Sequence, residues 1–325
     1  ANDSFKPVTK YFDRITRPEQ ILQSLPQAIQ TMLDPAECGP ACLSLCQDVQ
    51  GETFDYPEEF FKERIHNIRR PRPDDFQIKQ AVEKIKNSKK PIIISGGGVF
   101  YSDAMDELGN FAIKHNIPVT QTVMGYSTMK RDHSHFVGPI GGLGGKAANN
   151  LAKETDLAIC IGTKLADFTT GSWANFENPE FKLVSINIAR HDANKHLGEA
   201  VIGDAKVTLT ELSNAIGDWK SSDSWHKKSQ DELQSWNEYV DKESGPTNQE
   251  LPSYAHAVGA IYRNSDPTDI AVTAAGGLVG EVVQVWRPKE LNTHETEWGF
   301  SCMSYEISGA LGIKMANPDK DVIAF

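Results

Sequence analysis

"KKPIIISGGG", at residues 89–98, is the stretch that decides the fold. Its centre is an unbroken apolar run, residues 91–94, which ends in a serine and three glycines. A short run without polar alternation is typical of a strand that is buried on both faces of a parallel sheet. Glycines directly after such a strand indicate a tight turn into a helix, because glycine accepts positive φ angles. The stretch therefore predicts an α/β fold built on a parallel sheet.

Strands and helices alternate on both sides of this stretch. The 3.6-residue period predicts helices at "FQIKQAVEKIKNS", "SDAMDELGNFAIKHN" and "GGKAANNLAKE". Short apolar runs predict strands at "IPVTQT", "TDLAICIG" and "FKLVSINI", and "VIGDAKVTLTELSNAIG" gives the end of a strand followed by a helix. Such alternation is typical of βαβ units. We therefore expect a Rossmann-like central domain over residues 77–217, with helices on both faces of its sheet. Ligands bind such sheets at the carboxyl ends of the strands.

The flanking segments are each too small to be a domain. Residues 1–50 predict one amphipathic helix and one strand, at 41–49, and residues 51–76 read as a linker stiffened by prolines. Residues 218–252 predict a second linker that contains a helix, and residues 253–325 predict another α/β unit with two strands. Two strands do not make a stable sheet. We therefore expect both ends of the chain to be parts of larger domains.

The charge balance excludes some classes of partner. Lys and Arg number 33 against 44 Asp and Glu, which gives a net charge of −11. Nucleic acids and anionic membranes require clustered cations, so neither is an expected partner. No apolar run approaches the ~18–20 residues of a membrane helix, and the polar first ten residues have no signal-peptide core. These patterns predict a cytoplasmic protein.

The cysteines and histidines suggest no strong metal motif. An odd count of five cysteines without a secretory context predicts free thiols. Cys38, Cys42 and Cys46 are spaced by four, but Pro40 interrupts any helix there, so small core residues are the favoured interpretation over a metal cluster. His133 and His135 stand in the polar stretch "MKRDHSHFVG" and are expected to be solvated.

Four glycine-rich or polar stretches are candidate binding sites, and each has a plainer interpretation. "SGGGVFYS" at 95–102 suits a nucleotide or merely a tight turn, and "GPIGGLGGKAANN" at 138–150 suits an anion or close helix packing. "GTKLADFTTGSWANF" at 162–176 is a ligand or partner loop, or a solvated one. "AAGGLVGE" at 274–281 repeats the strand–glycine–helix pattern. By periodicity alone, Met303 is expected in a core.

Taken in series, several motifs resemble the thiamine-diphosphate (ThDP) enzymes of the acetolactate synthase type. They are "YFDRITRPEQ", "CLSLCQDVQGETFDYPEEFF", "KKPIIISGGGVFYS", "DFTTGSWANF", "GDAKVTL" and "WGFSCMSYEISGALGIKMANPDKDV". The resemblance covers essentially the whole chain. It implies that residues 1–50 end a pyrimidine-binding domain, that 77–217 are the central domain, and that 253–325 begin the diphosphate-binding domain.

Within this family, the chain resembles most closely the hydrolases that open a cyclic 1,2-dione in myo-inositol catabolism. "DRITRPEQ", "QDVQGETFDYPE" and "SCMSYEI" distinguish it from acetolactate synthases. The resemblance implies ThDP and Mg²⁺ as cofactors, a small cyclic polyol dione as substrate, 5-deoxy-glucuronate as product, and a homodimer or homotetramer. FAD is not expected, because the hydrolases are not flavin enzymes. The alternatives are an acetolactate synthase-like enzyme that acts on pyruvate, and a non-catalytic nucleotide-binding or assembly module.

The resemblance also implies roles for individual residues. Gly276, Gly277 and Leu278 match the turn that meets the cofactor diphosphate. The carbonyl of Ser301 would accept a hydrogen bond from the aminopyrimidine, and Met303 would hold the cofactor bent.

Two positions depart from the family pattern. Gly277 is commonly serine in the subfamily, and Ser304 stands where glycine is usual, which could narrow the site. No catalytic residue and no metal ligand is carried over, because the activating glutamate and the GDG–Asn motif are expected outside these 325 residues. We therefore expect the isolated chain to be a fragment without activity.

Overall fold

The computed structural model describes residues 2–325, which divide into two units, one ending at Pro71 and the other spanning Arg72–Phe325. In the first unit, strands β1 (Tyr11–Ile15) and β2 (Ala41–Leu45) pair in parallel, and helix α1 (Ile21–Leu33) connects them. Short 3₁₀ helices complete it: Asn2–Val8, Pro18–Gln20, Val49–Gly51 and Glu58–Phe61. The sequence predicted α1 and β2, although β2 is shorter than expected, but it missed β1.

The second unit contains a six-stranded, fully parallel sheet in the order β5-β4-β3-β6-β7-β8. Its strands are β3 (Pro91–Ser95), β4 (Val119–Gln121), β5 (Phe136–Pro139), β6 (Leu157–Ile161), β7 (Lys182–Asn187) and β8 (Glu199–Ile202). Its helices are α2 (Asp75–Asn87), α3 (Gly97–Tyr101), α4 (Met105–His115), α5 (Lys146–Glu154), α6 (Asp167–Thr170), α7 (Arg190–Asn194) and α8 (Ala205–Ile216), with a 3₁₀ turn at Val123–Gly125. The predicted α/β fold with a parallel central sheet is confirmed.

The isoleucine run of β3 explains why this sheet is central. Ile93 faces one side, where it joins a core that includes Leu108 of α4 and Leu209 of α8. Ile92 and Ile94 face the other side, in the core formed by α5 and the helix α9 (Asp223–Glu243). All three isoleucines are fully buried, and each such burial contributes about 2 kcal/mol relative to exposure. Helices therefore cover both faces of the sheet, as the sequence indicates.

The last part of the second unit forms a smaller sheet. After α10 (Tyr254–Asn264), the elements are β9 (Ile270–Thr273), α11 (Leu278–Val285), β10 (His294–Thr296), α12 (Tyr305–Ala316) and β11 (Val322–Ala324). The strands are parallel in the order β10-β9-β11. The sequence predicted β9 and β11 but missed β10, because the three residues of β10, His-Glu-Thr, form no apolar run.

Two expectations about side chains are wrong. His135 is buried rather than solvated: its ring stacks on that of His226, with 4.2 Å between the ring centroids, and its Nε2 lies 3.1 Å from the Asn116 amide oxygen. Burial lowers the pKa of His135 to about 4, and the neighbouring His226 adds to the shift. Cys38 is exposed rather than in a core, while all five cysteines are free within the described residues.

Helices that are long and apolar enough to cross a membrane are absent from residues 2–325.

Candidate cofactor site

The order of the small sheet brings two connecting segments to one edge. β9 and β10 are parallel neighbours, and their last residues, Thr273 and Thr296, are paired. The segments that follow them therefore start side by side. We call residues 274–277 the glycine turn and residues 297–304 the cofactor loop. Together with Leu278, these segments contain every site residue that the resemblance identified.

The glycine turn is open to solvent. Gly276 has φ +90°, which favours glycine, and a Cβ added there would meet no atom within 4 Å. A Cβ at Gly277 would meet only the ring of Tyr254, at 3.8 Å. Gly277 is the N-cap of α11, and the first N–H groups of a helix lack intrahelical partners. With the positive end of the helix dipole, they can bind an anion such as a diphosphate.

Leu278 has a different role from the two glycines. It begins α11, is half-buried, and packs against a cluster that includes Tyr262 and Trp286. Its side chain therefore holds the helix in place, and only its backbone N–H is available to a ligand at the glycine turn.

The cofactor loop presents its residues outward. Met303 is 83% exposed, so the core position expected from periodicity is wrong. Ser301 and Ser304 are exposed and lie in the left-handed region, with φ +50° and +77°. Residues other than glycine adopt this region rarely. The loop therefore has an unusual backbone that displays an apolar side chain next to the glycine turn.

Glu297 anchors the cofactor loop, and the sequence did not identify it. Its Oε1 accepts a hydrogen bond from the backbone N–H of Phe300 at 2.8 Å, and its Oε2 accepts one from Cys302 at 2.6 Å. The bond from Cys302, followed by that from Phe300, lowers the pKa of the Glu297 carboxyl. The residue directly follows β10, the strand that the sequence missed, so no pattern indicated that it ends a strand.

An aromatic contact joins the cofactor loop to the large sheet. The rings of Trp298 and Phe168 meet edge to face, with 5.0 Å between their centroids. Trp298 also packs on the cluster of Val123, Val279 and Val283. Within the 162–176 stretch, whose role the sequence left open, Phe168 thus contacts another part of the same chain.

The glycines of the large sheet serve packing. A Cβ at Gly98 would lie 2.6 Å from the Cα of Gly162, and a Cβ at Gly96 would lie 2.6 Å from the Thr163 Cβ. In the 138–150 stretch, a Cβ at Gly145 would lie 2.6 Å from the Trp236 indole nitrogen. The protein itself therefore fills the space beside these glycines. Close packing accounts for Gly96, Gly98 and Gly145 without a ligand, whereas a Cβ at Gly138 or Gly142 would meet no atom closer than 3.8 Å.

The glycine turn and the cofactor loop fit a cofactor with a diphosphate and a ring that can pack against a thioether. The turn offers backbone donors in open space, and Met303 offers an exposed thioether. Within residues 2–325, no group of three or more His, Cys, Asp or Glu side chains is arranged so that it could hold a metal ion.

Comparison with known families decides which cofactor this is. Residues 78–212 match the central domain of thiamine pyrophosphate enzymes, and residues 274–325 match the C-terminal, thiamine pyrophosphate-binding domain of the same enzymes. The chain belongs to the thiamine pyrophosphate enzymes. Thiamine pyrophosphate is ThDP, and the second match contains both the glycine turn and the cofactor loop.

Curated relatives named 3D-(3,5/4)-trihydroxycyclohexane-1,2-dione hydrolase are similar along nearly the whole chain. The protein from Clostridium perfringens is 38% identical over 99% of this chain, and that from Bacillus licheniformis is 40% identical over 99%. The protein from Geobacillus thermodenitrificans is 37% identical over 100%. The chain spans about half of their length, 54% in each case.

Proposed function

We propose that this chain supplies the central domain and part of the cofactor domain of a ThDP- and Mg²⁺-dependent hydrolase. The enzyme would cleave a C–C bond of trihydroxycyclohexane-1,2-dione and release 5-deoxy-glucuronate in inositol catabolism. One observation carries the proposal: the open glycine turn and the exposed Met303 loop lie side by side at the carboxyl edge of β9 and β10. The name of the relatives, trihydroxycyclohexane-1,2-dione hydrolase, supports this substrate.

The proposed roles of the residues come from the family resemblance, and the exposure of the glycine turn and of Met303 supports them. The N–H groups at the start of α11 bind the diphosphate, and the Ser301 carbonyl accepts a hydrogen bond from the aminopyrimidine. Met303 presses on the cofactor and keeps it bent, which brings its reacting groups together. When bound, ThDP supplies the electron sink for the cleavage of the C–C bond.

The proposal includes the organisation of the chain and its assembly. Residues 1–50 would end the pyrimidine-binding domain, 51–76 and 218–252 would be linkers, and 77–217 the central domain. Helix α12 has no buried residues, and its Ile307, Leu311 and Met315 are 69%, 63% and 76% exposed. A large exposed apolar face is typical of an interaction surface, which supports a homodimer or homotetramer. We place the enzyme in the cytoplasm.

A hybrid enzyme tests this function. The whole chain replaces the matching segment of the Clostridium perfringens relative, and hydrolysis of the cyclic dione is followed by formation of the acid product. We expect activity that depends on ThDP and Mg²⁺. A folded hybrid that binds ThDP but converts pyruvate and leaves the dione untouched would establish the acetolactate synthase alternative. A hybrid that binds a nucleotide and no ThDP would establish the non-catalytic alternative.

A further inference from the structure

Glu297 accepts hydrogen bonds from the residues on both sides of Ser301. Phe300 and Cys302, the neighbours of Ser301 on either side, both donate their N–H groups to the Glu297 carboxylate. The N–H of Cys302 and the C=O of Ser301 belong to the same peptide unit. In a trans peptide, the N–H and C=O point in opposite directions. Since the N–H is directed at Glu297, the Ser301 carbonyl is directed away from it.

The backbone of residues 301–304 needs a group that holds it in its unusual conformation. Ser301 and Ser304 both have positive φ angles, at +50° and +77°. Non-glycine residues in this region persist only where the surrounding structure over-determines them. Both serines are exposed, as are Cys302 and Met303 between them, so packing does not supply the restraint. The backbone N–H of Tyr305 donates to the Cys302 carbonyl at 3.1 Å and that of Ile307 to the Ser304 carbonyl at 3.2 Å, but the side chain that bonds on both sides of Ser301 is Glu297.

We propose that Glu297 is a positioning residue, which holds the peptide between Ser301 and Cys302 so that the Ser301 carbonyl faces the aminopyrimidine of ThDP. This inference rests on the proposed function, because the cofactor defines what the carbonyl meets. Glu297 itself touches neither cofactor nor substrate in this account. Glutamine at this position would keep the size of the side chain but offers one acceptor oxygen instead of two. Glu297→Gln is therefore the informative variant.

The first experiment needs no cofactor. The chain is labelled with ¹⁵N, and the amide shifts of Phe300 and Cys302 are followed as the pH falls from 7 to 3. We expect both amides to change in one step, with a midpoint below the usual pKa of a glutamate, because the bonds stabilise the charged form. The step should disappear in Glu297→Gln. It should remain in the control variant Glu295→Gln, because the carboxylate of Glu295 faces the Tyr305 hydroxyl and not the loop amides. Amides that do not titrate in the unmodified chain would overturn the inference.

The second experiment uses the hybrid enzyme described above. Dissociation constants are measured with Mg²⁺ for ThDP and for oxythiamine diphosphate, which carries an oxygen in place of the 4′-amino group. We expect Glu297→Gln to weaken ThDP binding about tenfold and oxythiamine diphosphate binding by less than twofold, because only ThDP donates to the Ser301 carbonyl. Equal losses for both ligands, or no loss, would overturn the inference. A folded hybrid that does not bind ThDP at all would instead contradict the proposed function.

Discussion

Two strand–glycine–helix segments of this chain look alike in sequence and differ in structure. "SGGG", at residues 95–98, follows β3, and "AAGG", at residues 274–277, follows β9. A Cβ on Gly98 would be 2.6 Å from the backbone of Gly162, whereas a Cβ on Gly276 would meet nothing within 4 Å. In the first segment, glycine allows two parts of the protein to approach. In the second, it leaves space for another molecule.

The difference shows that a glycine motif after a strand does not by itself indicate a ligand. A motif of this kind leaves space for a ligand only where a Cβ added to its glycines would clash with no protein atom. The large sheet has no room at Gly96 or Gly98, directly after its central strand, and helices cover both of its faces, so it acts as a scaffold. The small sheet keeps an open edge, and this edge carries the residues that we propose bind ThDP.

The largest effect should come from an added methyl group at Gly98. Gly98→Ala places a Cβ against the Gly162 backbone, and we expect unfolding free energy to fall by about 3 kcal/mol, as for overpacked cores. Urea denaturation measures this. The matched control is Gly277→Ala, where φ is −69° and the space is open, and where we expect a change between zero and a gain of about 1 kcal/mol. Equal losses for both variants would remove the distinction between the two segments.

Acid should destabilise the large sheet through His135. Its pKa is about 4 in the folded protein and about 6.5 when unfolded, so the unfolded chain binds the proton more tightly. The contribution of His135 to the free energy of unfolding is therefore fully present above pH 6.5 and decreases as the pH falls towards 4. About 2 kcal/mol of the unfolding free energy is lost between pH 7 and pH 5.

His135→Gln should remove the share of His135, so that the loss of unfolding free energy between pH 7 and pH 5 becomes about 2 kcal/mol smaller, while buried His294, whose pKa is also lowered to about 4, keeps its own share. The variant His191→Gln, at an exposed position, is the control and should leave the profile unchanged. A pH profile that is unchanged in His135→Gln would show that other groups cause the acid loss.

At the small sheet, substitution should affect function rather than stability. Met303 is 83% exposed, so Met303→Ala should change the unfolding free energy by no more than about 0.5 kcal/mol. In the hybrid enzyme we expect kcat/KM for the dione to fall about tenfold, or 1.4 kcal/mol in the transition state. A clear loss of stability with unchanged kinetics would mean that Met303 is a structural residue.

The smallest effect should come from a hydroxyl at the glycine turn. Gly277→Ser adds the side chain that is common in the subfamily, next to the proposed diphosphate position. One extra hydrogen bond, worth about 0.7 kcal/mol, should tighten ThDP binding about threefold in the hybrid. Gly277→Ala adds a similar bulk without a donor and should give no gain. Weaker binding in both variants would show that the turn has no room for a side chain once the cofactor is bound.

The sequence predicted most of the large sheet because short apolar runs and helical periods reveal buried elements. It missed β1 because Asp13 and Arg14 interrupt a five-residue strand, it missed β5 because that strand lies between a polar and a glycine-rich stretch, and it missed β10 because its three residues include no apolar one. The positions of Ser301 and Met303 came from resemblance to a family rather than from any period.

The contacts within the site could not be predicted from local patterns. The packing role of Gly98 depends on Gly162, which is distant in sequence, and the role of Glu297 depends on how the cofactor loop folds back on it. Such contacts arise only when the chain is folded.

Hydrogen exchange in the hybrid enzyme, with and without ThDP and Mg²⁺, tests the central claim most directly. We predict that the cofactor slows the exchange of amides in residues 274–280 and 297–305. Amides in residues 95–100 and 144–150 should exchange at the same rate in both states, because protein atoms already fill the space beside Gly96, Gly98, Gly144 and Gly145. Protection that appears at the glycines of the large sheet, and not at those of the small sheet, would contradict this account.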